Sequence, residues 1–515
     1  MATYVSVPSL ESQQRHSQPT QEHIKAIASL QREGFVPVSI ATLTDEKQGI
    51  PITGSVWHRK SIPQSVTETL ARQKANAASA LVQLGEREKI FPALRITDDP
   101  ESLTQFVHRC RGAGVTPQEL LWCLGVADRN RQNLSGEDRR IENRVLFGLL
   151  LALGEFTVDE LPSKQQQPTV EQVTSWFRDD SSSAIHGATG WLLRQWGRDD
   201  VVREIDETAR PYDPEREWFT LVIDAGEQRF YQTYIVVPPG EYEIGSPADQ
   251  PGHESDETLH RVRLTRPVAM LDREVTRGEF QASGVWNGNV EQYSPTGEHP
   301  MGGPSWYDSV QYCRWLSEKA GLTEADQAYA DPNSLDKSQY SPDGDTGLPT
   351  NWPLKLNARG FRLPTVAEWE IAARAGMRTK YSFGDDDSLL KRYAWTKTNS
   401  GGQTHIAKEL RPNLRGLFDI HGNICEWCFD WHGSYPLGGV HRDPVGSTKS
   451  SNRVILGGCY NYDDVYCRSA NGSSNPPMFR ITSNGLRLAL VPFSQDQPAA
   501  EPESGGTEGV AEQRP

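Results

Sequence analysis

GGCYNYDDVYCRSANGSSNPPMFRITSNGLRLAL, residues 457–490, alternates short uniform blocks (Gly457-Gly458, Cys467-Arg468-Ser469-Ala470, Gly485-Leu486-Arg487) with runs of Tyr, Asn, Asp, Ser and Thr. Tyr brings a large contact area with few torsions to freeze, while Asn, Ser and Asp supply adaptable hydrogen bonds. On a rigid scaffold such runs have the composition of a ligand-capturing surface. The same residue types also build turns, so an irregular polar loop is the competing reading. The sequence around the segment decides between them.

At 515 residues the chain exceeds what one hydrophobic core organises, and roughly two to four domains are expected. Apolar content is low, but 14 Trp, 16 Tyr and 15 Phe give large burial per residue, as in a globular protein with much irregular backbone. The net charge of −15 is spread along the chain without a basic stripe, so no nucleic-acid partner is expected. The first residues lack the cationic and apolar regions of a secretory signal. The longest apolar run, Val145 to Leu153, is too short to span a bilayer, so a soluble cytoplasmic protein with no membrane partner is expected. Seven cysteines, few and odd in number, fit reduced thiols. Cys425 and Cys428 form a lone CxxC with no second pair at zinc spacing, and Trp427 and Phe429 beside them suggest a buried strand.

Residues 1–22 and 495–515 are poor in apolar side chains and read as tails. Residues 23–62 are expected to hold a helix and a β-hairpin, with VPVSIATL and IPITGSVWH flanking the turn DEKQG. From 63 to 208 the pattern is helical. Leucine-rich turns closed by glycine recur at LVQLGE (81–86), LLALGEF (150–156) and WLLRQWG (191–197), where each Gly is expected to end a helix in the left-handed conformation. The repetition resembles HEAT-like stacked helix pairs. No cluster of catalytic residue types appears there, so the region reads as a scaffold or a docking platform for a protein partner. Leu161–Pro168 reads as a loop. From 209 to 494 Gly and Pro are dense and strands short, which makes the fold class α+β. Thr276-x-x-Glu279 and Thr365-x-x-Glu368 read as capping boxes, Ser305 or Asp308 opens a helix carrying Val310 to Leu316, and 323–357 reads as a long loop insertion.

Six segments of this last region, in order, resemble the formylglycine-generating-enzyme (sulfatase-modifying-factor) family: VVPPGEYEIGSP (236–247), REVTRGEF (273–280), PSWYDSVQYCRWLSEKAGL (304–322), FRLPTVAEWEIAARAG (361–376), NLRGLFDIHGNICEWCFDW (413–431) and RVILGGCYNYDDVYCRS (453–469). The resemblance implies a C-type-lectin fold. Fold does not imply function, so residues carry over one at a time. In the oxidase branch two thiols five positions apart bind Cu(I), a soft ion suited to thiolate. The later thiol matches Cys467, but Tyr462 occupies the earlier position, so no copper is expected and no oxidase activity. Cys459 could offer only an improvised second thiol. The ergothioneine-synthase branch fails too, because none of the 12 His stands in an H-x3-H-x-E array. A structural Ca²⁺ is implied around the GN-x-W-E-W strand; the matching positions are Asp419, Gly422, Ile424 and Glu426, with Cys425 replacing the usual Trp.

The C-terminal end resembles one branch more specifically, the variable proteins of diversity-generating retroelements. In these, adenine mutagenesis scatters Asn-type codons within a constant frame. That frame matches Gly457-Gly458, Cys467-Arg468-Ser469-Ala470, Asn475-Pro476-Pro477, Arg480 and Gly485-Leu486-Arg487-Leu488, with Tyr460 for the usual Trp and Leu486 for the usual Phe. The resemblance implies a non-catalytic protein that binds a protein or other macromolecule through a face made of Cys459, Asn461, Tyr462, Asp463, Asp464, Val465, Tyr466, Gly472, Ser473, Ser474, Met478, Phe479, Ile481, Thr482 and Ser483. The alternatives are a formylglycine-generating-type oxidase and a non-diversified regulatory or interaction module.

Overall fold

The computed structural model describes residues 10–19, 36–44, 51–60, 64–96, 98–335, 347–433, 439–447 and 450–493. The chain forms two compact units, 1–70 and 71–515. In the first, β1 (Leu10–Pro19), β2 (Val36–Thr44) and β3 (Pro51–Lys60) make an antiparallel sheet in the order β1-β3-β2. β2 and β3 are the two runs expected to pair; their turn and the helix expected in 23–35 lie outside the described residues. β1 corrects the reading of 1–22 as a tail throughout. Few apolar side chains forbid a core of its own, but a strand needs only the free N–H and C=O groups that an edge of β3 offers.

Helices follow: α1 (Gln64–Gln83), which begins in the first unit and ends in the second, and then, in the second, α2 (Glu101–Arg109), α3 (Pro117–Gln132), α4 (Gly136–Leu153), α5 (Ser163–Asp179), α6 (Ser183–Gln195) and α7 (Asp199–Asp206). Buried Ala71, Ala75, Ala78 and Val82 recur along one face of α1 at helical spacing. A Thr116–Glu119 capping box with Pro117 in the first turn starts α3. The run Val145–Leu153 is the central helix α4, buried throughout and packed on α2, α3 and α6. Among the described residues no helix is long and apolar enough to cross a membrane.

Two local expectations fail here. Leu161–Pro168 is not a loop, because α5 starts at Ser163 and contains Pro168. A proline in the second turn costs one backbone hydrogen bond, which the rest of the helix tolerates through packing of Val170, Val173 and Phe177. Gly85 and Gly197 take the expected left-handed φ, but Gly154 does not. Its reason is close approach: a Cβ there would run into the Trp191 ring.

The sequence boundary near 208 is not a boundary of packing. Met377 and Phe418 belong to the helical core, and His186 stacks on Trp218 with ring centroids 3.7 Å apart. Gly187 faces Gly416 so closely that an added Cβ would come within 2.8 Å of its Cα. Glu101 accepts a 2.8 Å bond from the Asp385 N–H, and Asp386 accepts from Arg72 and Gln105.

The C-terminal part is built on three small sheets. One runs β14 (Ala489–Leu490)-β8 (Val268–Leu271)-β5 (Arg229–Val237)-β4 (Trp218–Asp224), and a second β10 (Val440–Arg442)-β7 (His260–Leu264)-β6 (Gly240–Ile244). The third is β12 (Gly472–Asn475)-β11 (Arg453–Leu456)-β9 (Cys425–Trp431)-β13 (Asn484–Gly485). Three helices brace them: α8 (Arg277–Gln281), α9 (Trp306–Lys319) and α10 (Val366–Arg374), each opened by a capping box in which Thr276, Ser305 or Thr365 is the N-cap. With so little regular structure, buried charge pairs tie the irregular backbone. Arg362 binds Glu368 bidentately, and Arg453 is clasped between Trp306 and Trp431, its guanidinium 3.9 and 3.6 Å from their ring centres. Burial lowers the Arg453 pKa to about 9. The insertion 323–357 has one 3₁₀ turn at Glu324–Asp326 and buries Trp352; 336–346 lie outside the described residues.

Candidate binding face

β11 delivers the chain to Gly457 and Gly458, both at positive φ. Gly458 is irreplaceable on two counts, because a Cβ would lie 2.5 Å from Cys467 Sγ and 3.0 Å from the Tyr466 carbonyl. The chain then loops outward through Asn461–Tyr466 and returns at a 3₁₀ turn, Asp464–Cys467. Arg468 anchors the return with two bonds to the Glu257 carboxylate, at 2.7 and 2.6 Å, both partners buried. Asn471 donates to the same carboxylate and to Glu254. Edge strand β12 follows, then the turn around Pro477, whose carbonyl accepts from the Trp306 N–H. Finally β13 pairs parallel with β9, and Arg487 reaches Glu426 with bonds of 2.7 and 3.0 Å. Arg480 of the frame is exposed and holds Asp308 at 2.8 Å, whereas Gly457, Gly458, Cys467, Arg468 and Arg487 are buried.

The residues between the anchors point the other way. Asn461, Asp463, Val465, Tyr466, Ser473 and Phe479 are exposed, with Val465 and Tyr466 at 43% and Phe479 at 48%. Tyr462, Asp464, Gly472, Ser474, Met478, Ile481 and Thr482 are half-buried. Cys459 and Ser483 are corrections: both are buried and lie beneath the face rather than on it. Cys459 follows directly on the constrained glycine pair, so its side chain is sent into the core, where its thiol contacts Asn461 and the Cys425 thiol.

The face carries a recess of about 360 Å³ lined by Glu254, Cys425, Ile455, Gly458, Tyr462, Tyr466, Asn471, Gly472 and Ser473. The Tyr462 and Tyr466 rings meet edge to face, 5.7 Å apart. Burial, with the neighbouring Cys425 and Cys459 thiols, pushes the Tyr462 phenol up to about 12. The hydrogen bond to Cys459, then burial, drives the Cys425 thiol well up, and burial does the same to Cys467. With no metal bound, both thiols are therefore protonated at neutral pH. Cys459 partners Cys425, a contact between residues far apart in sequence.

Of the positions implied for Ca²⁺, the Glu426 and Asp419 side chains have other partners, while the second Asp419 oxygen, Oδ1, is buried and accepts no hydrogen bond among the described residues. Both Glu426 oxygens are taken by Arg487, and one also by the Trp369 indole N–H at 2.6 Å, so a cation already sits against this carboxylate: the guanidinium. One Asp419 oxygen accepts the Lys408 N–H. Gly422, at φ 146°, gives room for the Trp395 carbonyl, and Ile424 is core. No group of three His, Cys, Asp or Glu among the described residues fits a metal ion. Glu274, missed in the sequence, lies close to Asp419. It is wholly buried, neither carboxylate oxygen finds a hydrogen-bond partner among the described residues, and burial followed by the Asp419 charge pushes its pKa well up.

The chain is similar to several known proteins. The formylglycine-generating enzyme of Streptomyces coelicolor is 28% identical over 303 residues, which cover 52% of this chain and 91% of the enzyme. The serine/threonine-protein kinase pkn1 of Chlamydia pneumoniae is 35% identical over 136 residues, 25% of this chain but only 21% of the kinase. Among solved structures, Treponema denticola variable protein 1 is similar with a TM-score of 0.47 and 30% identity, over 53% of this chain and 99% of that chain. The profile of the sulfatase-modifying factor enzyme 1-like domain matches residues 221–491, more than half of the sequence. The chain belongs to this sulfatase-modifying-factor family.

Proposed function

We propose that the protein is a non-catalytic binder that presents a diversified face, residues 461–482, on a C-type-lectin scaffold, in the manner of the variable proteins of diversity-generating retroelements. The observation that supports this reading is the partition within 457–490: Gly458 is buried, Arg468 and Arg487 are buried and bonded, while thirteen of the fifteen expected face positions are exposed or half-buried. Exposed side chains can change at a cost usually under about 0.5 kcal/mol, so many sequences fit one backbone. The ligand is a protein or another macromolecule, because the face is broad and carries exposed Val465, Tyr466 and Phe479. The helical region serves as a scaffold of HEAT-like pairs and a second docking surface. Seven free, buried cysteines suit a reducing, cytoplasmic setting.

Oxidase chemistry has no part in the proposal, since a phenol, Tyr462, stands at the first copper-thiol position. The test is genetic and chemical. A near-identical template repeat carrying adenines at the codons for these positions, beside a reverse-transcriptase gene, is expected; a gene with neither, or purified protein that takes up one Cu(I) and converts Cys to formylglycine in a sulfatase-type peptide, overturns the reading.

A further inference from the structure

The recess in the face has a charge bias that its variable residues do not set. Glu254 belongs to the 247–257 loop, outside the variable segment, and that loop is fixed against the frame: a Cβ on Gly252 would lie 2.9 Å from Val465 and 3.1 Å from the Arg468 guanidinium. Asn471 links Glu254 to the buried Glu257–Arg468 pair, with bonds of 3.2 Å to each carboxylate. One carboxylate is therefore held at the rim by scaffold. The walls are the Tyr462 and Tyr466 rings, and Asn471 and Ser473 add polar groups. No Lys, Arg or His lines the recess. The nearby cations are engaged elsewhere, Arg468 with Glu257 and Lys397 with Asp463 at 3.1 Å.

A recess lined by one carboxylate and two aromatic rings suits a flat, weakly hydrated cation, which can gain an ion pair and a cation–π contact together. The volume, about 360 Å³, admits a long side chain entering end-on. We infer that this recess takes an arginine side chain of the protein partner, so that Glu254 selects for a basic anchor while Tyr462 and Tyr466 tune its fit. The inference rests on the binding-face reading and deepens it. Lysine is the next occupant by charge, but its compact ammonium makes poorer use of two ring faces.

The test uses the full chain labelled with fluorotyrosine, with the two ring signals assigned by Tyr462→Phe and Tyr466→Phe. It is titrated with acetyl-Gly-Arg-Gly-amide and with the same peptide carrying Lys, citrulline or Glu in place of Arg. The arginine peptide is expected to shift both signals saturably and to bind about tenfold tighter than its citrulline twin, which keeps the shape and loses the charge. Glu254→Gln, at an exposed residue, is expected to erase that preference. Equal binding of arginine and citrulline, tighter binding of the lysine or glutamate peptide, or no shift at millimolar arginine peptide each overturns the inference. The last outcome leaves the binding-face reading standing if the variable positions can still be rewritten in a folded protein; loss of the fold on rewriting sinks that reading instead.

Discussion

Two kinds of ion pair lie within a few residues of one another in the C-terminal segment, and they do opposite jobs. Arg468–Glu257 and Arg487–Glu426 are buried and bidentate, while Lys397–Asp463 is open to solvent at both ends. Removing one member of a buried pair strands a charge in a poorly hydrated site, whereas an exposed pair is already solvated and contributes under about 1 kcal/mol. The segment thus reads as frame or face according to burial, not according to residue type. Asp463 and Glu257 are both carboxylates, and only one of them holds the fold.

The sharpest way to break this contrast is Arg487→Met. It leaves Glu426 buried with the Trp369 indole as its remaining donor and should cost about 3–5 kcal/mol, read as a fall in the urea midpoint. Gly458→Ala should follow at about 2 kcal/mol, from its left-handed φ and its contact with Cys467. A wild-type midpoint for either would show that the frame is not what fixes the loop.

The contact between helices and lectin-type domain offers a pH test. Burial raises Glu101 to about 7, well above its ordinary value near 4.5. A carboxyl with a raised folded-state pKa binds its proton more tightly when folded. Its contribution is therefore full below about pH 4.5 and is lost as the pH rises through 7. Glu101→Gln should remove that slope and, on the order of 1–3 kcal/mol, gain on the wild type at pH 8 relative to pH 5. Parallel pH profiles for the two proteins would contradict the assignment.

Smaller effects belong to the face. Joint replacement of Tyr462, Asp463, Asp464, Tyr466, Phe479 and Ile481 by Ser and Asn should leave the melting temperature within a few degrees, the half-buried Tyr462 and Ile481 accounting for most of the drop. Unfolding of this variant would place the segment in the structural category. The smallest effect expected is that of a chelator: with Glu426 engaged by Arg487, EDTA should leave the melting temperature unchanged, and a fall of several degrees would restore a structural cation.

What could be read from the sequence were features whose cause is local. Capping boxes at Thr276, Ser305 and Thr365, the glycine pair 457–458 and the polar runs between anchors all declare themselves within a few residues. What could not be read depends on distant partners. Nothing near Arg468 points to Glu257, more than two hundred positions away, and nothing near Gly154 announces the Trp191 ring. Strand β1 was hidden for the same reason, since its partner rather than its composition orders it. At the positions implied for calcium, nothing near Glu426 announces that Arg487 binds its carboxylate. Glu274 looks ordinary in REVT and is exceptional only for its burial beside Asp419.

Cys459, like Ser483, is a position of the segment that answers to the interior. Its side chain is packed under the face against Cys425, in a space shaped for a small group. In a population of variants, every change at 459 is judged first by whether the domain folds and only afterwards by what it binds. A draw of Tyr or Asp there would discard a whole combination of outward-facing residues, however well they suited a target. If the face is diversified as proposed, the size of the usable repertoire is then set in part from below the surface, by the yield of folded protein that inward positions such as 459 and 483 permit.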